Sequence, residues 1–372
     1  MHYFIYATKD AWISSGSNHI DGTSYRDQNF GQDAILEVKK EFWNKSFDYQ
    51  TRALISFKGT EFTNVSQSVV NGDIINPKYY LRLYEAEGTQ DLTLDYKLAA
   101  FTLSQSWDEG TGKFGDRPKV INGVSWENRN YYPGSSAVTW SNATGMQIGG
   151  GAINTGSWNA SQSFSSESPD VEMDITGIVN YWLLSGSNEG LLLRFSGSQE
   201  TNDSTFAQLK FFSTQTNTIY SPKLEVRWDD HKPCTGSNTG SLLPMSMSGE
   251  ADNILYMKHF RESYKENEKV KFRVMPRKRY IQKTFSTSVQ TVTGSYILEG
   301  SGSYSIIDTA TGETVIPFSA YTSMSCDSTS NYFIQWMNGF QSQRVYKILY
   351  KLKYNDGQEI IYDDDFEFKI RS

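Results

Sequence analysis

At 372 residues the chain is longer than one hydrophobic core comfortably serves, so two domains are expected. A net charge of −7 argues against duplex nucleic acid as a general partner, because phosphates are bound by a basic face. Its 23 Tyr, 21 Phe and 9 Trp suit half-buried pleated surfaces, and no run approaches the roughly 18 consecutive apolar residues of a membrane-spanning helix.

The opening MHYFIYATKD lacks the basic flank and apolar stretch of a secretory signal, so synthesis without export is expected. Strand signals then follow at DAWISS (10–15), AILEVKK (34–40), TRALISF (51–57), YYLRLYEA (79–86), LDYKLAAF (94–101), GLLLRF (190–195), FAQLKFF (206–212) and KLEVRW (223–228). In TRALISF the inward set is Ala53, Ile55 and Phe57, an alternation that leaves the other face wet. Between Lys113 and Ser168 the chain turns rich in Gly, Ser and Asn, with Trp126, Tyr131, Tyr132, Trp140 and Trp158 scattered through it. A loop of that length points to surface contact, with Trp140 and Trp158 folding back as core plugs in the alternative. VEMDITGIVNYW (171–182) is the one short helix: Asp174 and Thr176 are helix-starting residues, and Ile175, Ile178, Val179 and Trp182 form one apolar stripe.

DDHKPCTGSNTGSLLP (229–244) reads as a linker. Beyond it, NILYMKHF (253–260), KVKFRVMPR (269–277), SYSIIDTATGETVIPF (303–318), YFIQWM (332–337), RVYKILYKLKYNDGQEIIY (344–362) and DFEFKI (365–370) form a second strand series, with a hairpin turn at Asn355, Asp356 and Gly357. The expectation is an all-β protein: a jelly-roll-like β-sandwich with one short helix over 1–229, a linker over 230–244, and an immunoglobulin-like β-sandwich over 245–372. Charge divides unevenly. From Met245 onward lie 16 of the 35 basic and 15 of the 42 acidic side chains, so residues 1–244 hold 19 against 27, net −8. Cys234 and Cys326 are expected as unpaired thiols of a protein made in a reducing cytosol.

No catalytic constellation is visible. His2, His19, His231 and His259 never take helical zinc spacing, and no G-x-S-x-G elbow exists. GTGK (110–113) has Trp107 and Phe114 where a phosphate loop needs Gly and Ser or Thr. Asp108, Glu109 and Asp174 could serve a glycosidase only if folding gathered them, and their expected role is solvation. Asp363, Asp364 and Asp365 mark a wet strand entry, with calcium ligation as the alternative. Arg277, Lys278, Arg279 and Lys283 around Tyr280 form a basic cluster, read as a solvated face or a contact to an acidic neighbour. No cofactor is expected, and the identity of any metal is left open.

The pieces DAWISSGS, NFGQDAILEV, RALISF, YLRLY, SWDEGTG, VTW, DITGIVNYW and SPKLEVRW together resemble the DNRLRE-type β-sandwich family related to carbohydrate-binding modules, over nearly all of residues 1–228. That resemblance implies a non-catalytic sandwich. The two-domain arrangement, with KFRVMPRKRYIQKTFSTSVQ (271–290), resembles virion structural proteins of T-even-like marine tailed phages. It implies a component of tail, neck or fibre, assembled in the host cytoplasm and localised to the virion, with other virion proteins and copies of itself as partners. The alternative function is a glycan-binding module for host-surface or wall polysaccharide. Trp43, Trp126, Tyr131, Tyr132 and Trp158 are the candidate glycan or interface residues, since large rings stack on sugars and contribute most to interfaces.

Overall fold

The computed structural model describes the chain except residues 44–45, 88–94, 142–149, 154–157, 165–169, 249–252, 282–283 and 291, and gives residues 43 and 46–48 as backbone only. The chain is all-β and builds β-sandwiches. It divides into two compact units, the first comprising Phe4–Asp73 with Pro77–Val226, the second Arg227–Ser372 with Met1–Tyr3 and Ile74–Asn76.

In the first unit the elements are β1 (His2–Tyr6), β2 (Lys9–Ser14), β3 (Ile35–Trp43), β4 (Ser46–Ser56), α1 (Thr60–Val70), β5 (Lys78–Leu83), β6 (Glu85–Glu87), β7 (Tyr96–Thr102), β8 (Asn128–Asn130), β9 (Val138–Thr139), β10 (Asn159–Phe164), β11 (Val171–Asp174), α2 (Thr176–Ser185), β12 (Leu191–Phe195), α3 (Ser198–Thr201), β13 (Ala207–Phe212) and β14 (Lys223–Arg227). The smaller sheet has the order β1-β14-β5-β11. The larger has the order β10-β7-β12-β4-β3-β13-β6, with β2 also pairing β4. All eight strands expected from sequence in this unit are present.

Register explains what covers the larger sheet. Leu54 pairs with Ala11 of β2 and Leu192 of β12, so these side chains share one face. That face is dry: Ala11, Ile13, Leu54 and Leu192 join Leu103, Trp107, Val124, Trp126 and Trp140 in one buried cluster. Residues 51–57 are consequently buried on both faces, correcting the expectation of a wet side. Part of the Gly- and Ser-rich stretch supplies the cover. Trp140, held by its indole N–H on the Ser125 carbonyl at 2.9 Å, is a core plug, whereas Trp158 is 40% exposed.

Helix α2 forms where expected. Asp174 Oδ1 accepts the Thr176 N–H at 2.9 Å, and Gly186 at φ +69° closes the helix through an N–H bond to the Trp182 carbonyl. Ile175, Ile178, Val179 and Trp182 are all buried, and the Trp182 indole donates to Thr102 Oγ1 at 2.9 Å. A second helix of comparable length, α1, was not expected from sequence. Only its Val65 is fully buried, and Phe62 meets the edge of Trp182.

The second unit runs α4 (Gly236–Thr239), β15 (Leu243–Pro244), β16 (Asn253–Lys258), β17 (Ser263–Lys265), β18 (Lys269–Lys278), β19 (Ser295–Tyr296), β20 (Gly302–Asp308), β21 (Thr314–Ile316), β22 (Ser325–Cys326), β23 (Asn331–Trp336), β24 (Val345–Lys353) and β25 (Glu359–Arg371). Its sheets have the orders β16-β18-β23-β22 and β17-β25-β24-β20-β21. Aromatic rings bridge them: Phe333 of one sheet stacks on Tyr304 of the other at 3.7 Å, with Phe272 5.0 Å from Phe333 and 5.6 Å from Phe368. The expected hairpin turn is present, with Gly357 at φ +86° donating its N–H to the Tyr354 carbonyl.

Two expectations are corrected here. Cys234 and Cys326 are joined by a disulfide, their Cα atoms 4.9 Å apart. The stretch read as a linker is folded into the second unit: Lys232 N–H donates to Ser325 Oγ, Cys234 is covalently fixed, and β15 pairs in parallel with β19. Pro, Gly and Ser mark irregular backbone there, not loose backbone.

Candidate functional site

Residues of the motifs NFG and DEGTG interlock and serve the fold. Asn29 is fully buried; its amide donates to the carbonyls of Glu109 and Val124, each at 2.7 Å, and its oxygen accepts from Gly31 N–H and Gly112 N–H. A Cβ on Gly112 would lie 2.4 Å from the Asn29 carbonyl oxygen, so glycine is required by close approach. Three amides of GTGK are turned to the chain's own acceptors, Thr111 N–H to Asn122 Oδ1, Gly112 N–H to Asn29 Oδ1 and Lys113 N–H to Asp116 Oδ2, and do not form a phosphate cradle. Trp12 from DAWISS stacks on Phe30 at 3.7 Å and donates to Asp33 Oδ2.

Leaving the sheet beyond β7, residues 103–106 form one wall of an open groove of about 530 Å3, lined by Ser104, Gln105, Ser106, Arg129, Ala137, Val138, Thr139 and Ser141. Its polar groups hold one another in place. Gln105 donates through its amide to the Ser141 carbonyl at 2.6 Å and accepts from Ser141 N–H, while Arg129 Nη1 donates to Ser106 O and Oγ at 2.9 and 3.1 Å. The facing wall is the β8–β9 ribbon, where Val138 is 38% exposed.

The same strand carries an aromatic pair. Asn159 of β10 pairs with Phe101 of β7, which places Trp158 where β10 enters beside the start of residues 103–106. Trp158 stacks on Tyr181 of α2 with ring centroids 4.0 Å apart and planes at 27°. Tyr181 is on the helix flank that the buried stripe leaves free, so one ring supports the other while Trp158 stays open to solvent.

Of the five sequence candidates, Trp158 is therefore placed on a surface stack. Tyr132 is exposed and Tyr131 half-buried on the turn before β9, and neither contacts the Trp158 ring among the described residues. Trp126 is a correction: it is buried, with the Arg52 guanidinium 4.9 Å above its ring, because it covers the outer face of β4. Trp43 ends β3, and its side chain lies outside the described residues. Gln105, Arg129, Ser141 and Tyr181 were not singled out from sequence. The signal for Tyr181 was available, since the α2 stripe at 175, 178, 179 and 182 excludes it from the core.

Two of the three carboxylates raised as an acid–base set, Glu109 and Asp174, hold backbone amides instead. Glu109 Oε1 accepts Asp10 N–H at 3.1 Å, and Asp174 Oδ1 accepts Thr176 N–H at 2.9 Å where the chain enters α2. In the second unit Asp363 and Asp365 are both bridged by Lys347, at 3.1 and 3.0 Å, and no group of three metal-ligating side chains occurs among the described residues.

Asp10 gives the first unit a pH dependence. Burial pushes its carboxyl up to about 7 from 3.8, against the pull of hydrogen bonds from Thr214 N–H and Oγ1. A raised carboxyl favours the protonated native state, so its stabilisation is complete below the unfolded value and is lost as pH rises through the folded one. Stability should fall by about 3 kcal/mol between about pH 4.5 and 7 on this account alone. Asp10→Asn retains a donor toward Thr214 Oγ1 and an acceptor for its N–H. Urea midpoints across that range should be flatter for the variant; parallel profiles for the two proteins would refute the assignment.

Residues 2–132 match the family model described as Carbohydrate-binding module family 96. No curated protein matches the chain. The N-terminal part of the first unit, including Gln105 and Arg129 of the groove, is thus carbohydrate-binding-module-like.

Proposed function

We propose that the first unit is a non-catalytic glycan-binding module, in which Trp158 backed by Tyr181 stacks on a sugar ring and the Gln105, Arg129 and Ser141 groove bonds the hydroxyls of neighbouring residues. The match over residues 2–132 carries the reading. The geometry supports it: polar groups already fixed by mutual hydrogen bonds lose little freedom on binding, and a ring buttressed by a second ring is pre-organised. A binding-module family fits a protein without turnover, as does the engagement of Glu109 and Asp174 with backbone.

Between the two roles raised by sequence, the match favours polysaccharide attachment over subunit contact alone. In a tailed-phage particle such a module would serve attachment to host-surface polysaccharide, with the second unit as its mount. We read that unit as immunoglobulin-like, because its sheet orders correspond to A-B-E-D and A′-G-F-C-C′, with β17 parallel to the last strand. The disulfide supports a working site at a virion or cell surface, outside a reducing cytosol.

The test is a glycan array probed with the intact protein and with Trp158→Ala. Wild type should retain a defined set of glycans, and the variant should lose about tenfold or more in affinity while its melting temperature stays unchanged, as befits an exposed ring. Absence of any bound glycan, or undiminished binding by the variant, would reject the proposal.

A further inference from the structure

One guanidinium of the first unit reaches behind both walls of the groove. Arg52 of β4 is buried, with its Nε 2.7 Å from Glu200 Oε1. Its Nη1 donates to the Gly150 carbonyl, and its Cζ lies 4.9 Å over the Trp126 ring.

Each of the last two contacts leads to one wall. From Gly150 the chain runs to Ala152, whose carbonyl accepts the N–H and Oγ–H of Ser104 at 2.9 and 3.2 Å, and to Ile153, which bridges Leu103. That route holds residues 103–106. On either side of Trp126, the carbonyls of Ser125 and Glu127 accept the indole and backbone N–H of Trp140, and Ser125 N–H bonds the Asn128 carbonyl where β8 begins. That route holds the β8–β9 ribbon and with it Arg129. The two are joined at their root, since Gly150 N–H donates to the Trp126 carbonyl at 2.7 Å. Gly150 has φ +78°, and a Cβ there would lie 2.6 Å from Arg52 Nη1, so the close approach of backbone to cation requires glycine.

The groove depends on this register because its walls meet through side chains. Gln105 bonds Ser141 across the gap and Arg129 bonds Ser106, and such bonds weaken steeply when length or angle is disturbed. We infer that Arg52 is the positioning residue of this groove, fixing both walls in register from behind without touching what binds between them. A planar fork of five donors can hold Glu200 and Gly150 while its face covers Trp126, which a lysine ammonium cannot do. The role in binding rests on the glycan reading of the site, whereas the positioning is measured without sugar.

The test compares two variants of the full chain. Arg52→Lys keeps a cation for Glu200 and loses the fork; Glu200→Gln keeps an acceptor for Arg52 Nε and loses the charge. Both should lower the melting temperature. In hydrogen–deuterium exchange without sugar, at a temperature where both are folded, Arg52→Lys should exchange faster at Ser104 and Gly150 and at Trp140, with the β5–β11 pairing unchanged. Glu200→Gln should match wild type at those amides. Toward the best glycan of the array, Arg52→Lys should lose about tenfold in affinity, the worth of roughly one hydrogen bond, and Glu200→Gln should bind as wild type does. Faster exchange at one wall alone, uniform acceleration in both sheets, or an affinity that follows the melting temperature in both variants would overturn the inference. If wild type binds no glycan the proposed function falls, and the exchange pattern still decides whether Arg52 sets the walls.

Discussion

Replacing Cys234 and Cys326 by serine should lower the stability of the second unit by about 4–5 kcal/mol. The two residues are 92 apart in sequence, so their bond removes a large loop from the freedom of the unfolded chain. In the folded unit the bridge sits among Leu242, Tyr296 and Leu298, and Asn331 donates to both sulfurs while also bonding Ile297 through its N–H and carbonyl. The bond thus ties residues 229–244 to the edge of the sheet at β22. Denaturant unfolding of the double variant should show an earlier midpoint for this unit. An unchanged midpoint would mean that the bridge contributes nothing to the folded protein.

Glu200→Ala should cost the first unit roughly 3–5 kcal/mol. Glu200, 3% exposed in its side chain, lies between Arg52, whose Nε is 2.7 Å from Oε1, and Arg194, which contacts Oε2. The three come from β4, β12 and α3. Burial alone lowers the Arg52 guanidinium from its usual value, and Glu200 counters that. Without the carboxylate, Arg52 keeps, among the described residues, only the Gly150 carbonyl and the Trp126 face, which leaves its charge against the Trp cluster without an anion there. Replacing Arg52 by methionine and Glu200 by leucine together should recover part of the loss, because the more deeply buried charge leaves with its partner, while Arg194, 22% exposed in its side chain, can turn to water. Equal destabilisation by the single and double replacements would argue that the site matters through shape and not charge.

The strand series was legible because alternation and β-branched or aromatic enrichment act locally, and α2 because its stripe is apolar at helical spacing. Helix α1 was hidden by Thr, Asn and Ser, poor helix formers that mask the 62, 65, 69 spacing of Phe62, Val65 and Val69. Strand β10, NASQSF, has few residues of strand-forming type and is recruited by pairing with β7. The covered outer face of β4 was not legible either, since alternation reports that two faces differ and not what lies over each. For the same reason Trp126 and Trp158, alike in their Gly- and Ser-rich surroundings, received one reading and have opposite fates. The disulfide was missed because spacing alone does not bring Cys234 beside Cys326; pairing of β22 with β23 and the turn at α4 do.

The most direct measurement of the glycan-binding claim is hydrogen–deuterium exchange of the intact protein with and without its best-bound neutral oligosaccharide. Protection should concentrate at residues 101–106, 128–141 and 158–160 and at the outer flank of α2, with the interlocked loops around Asn29 unchanged. Protection confined to other surfaces, or none at saturating sugar, would contradict the placement of the site on the Trp158 stack and the Gln105 groove.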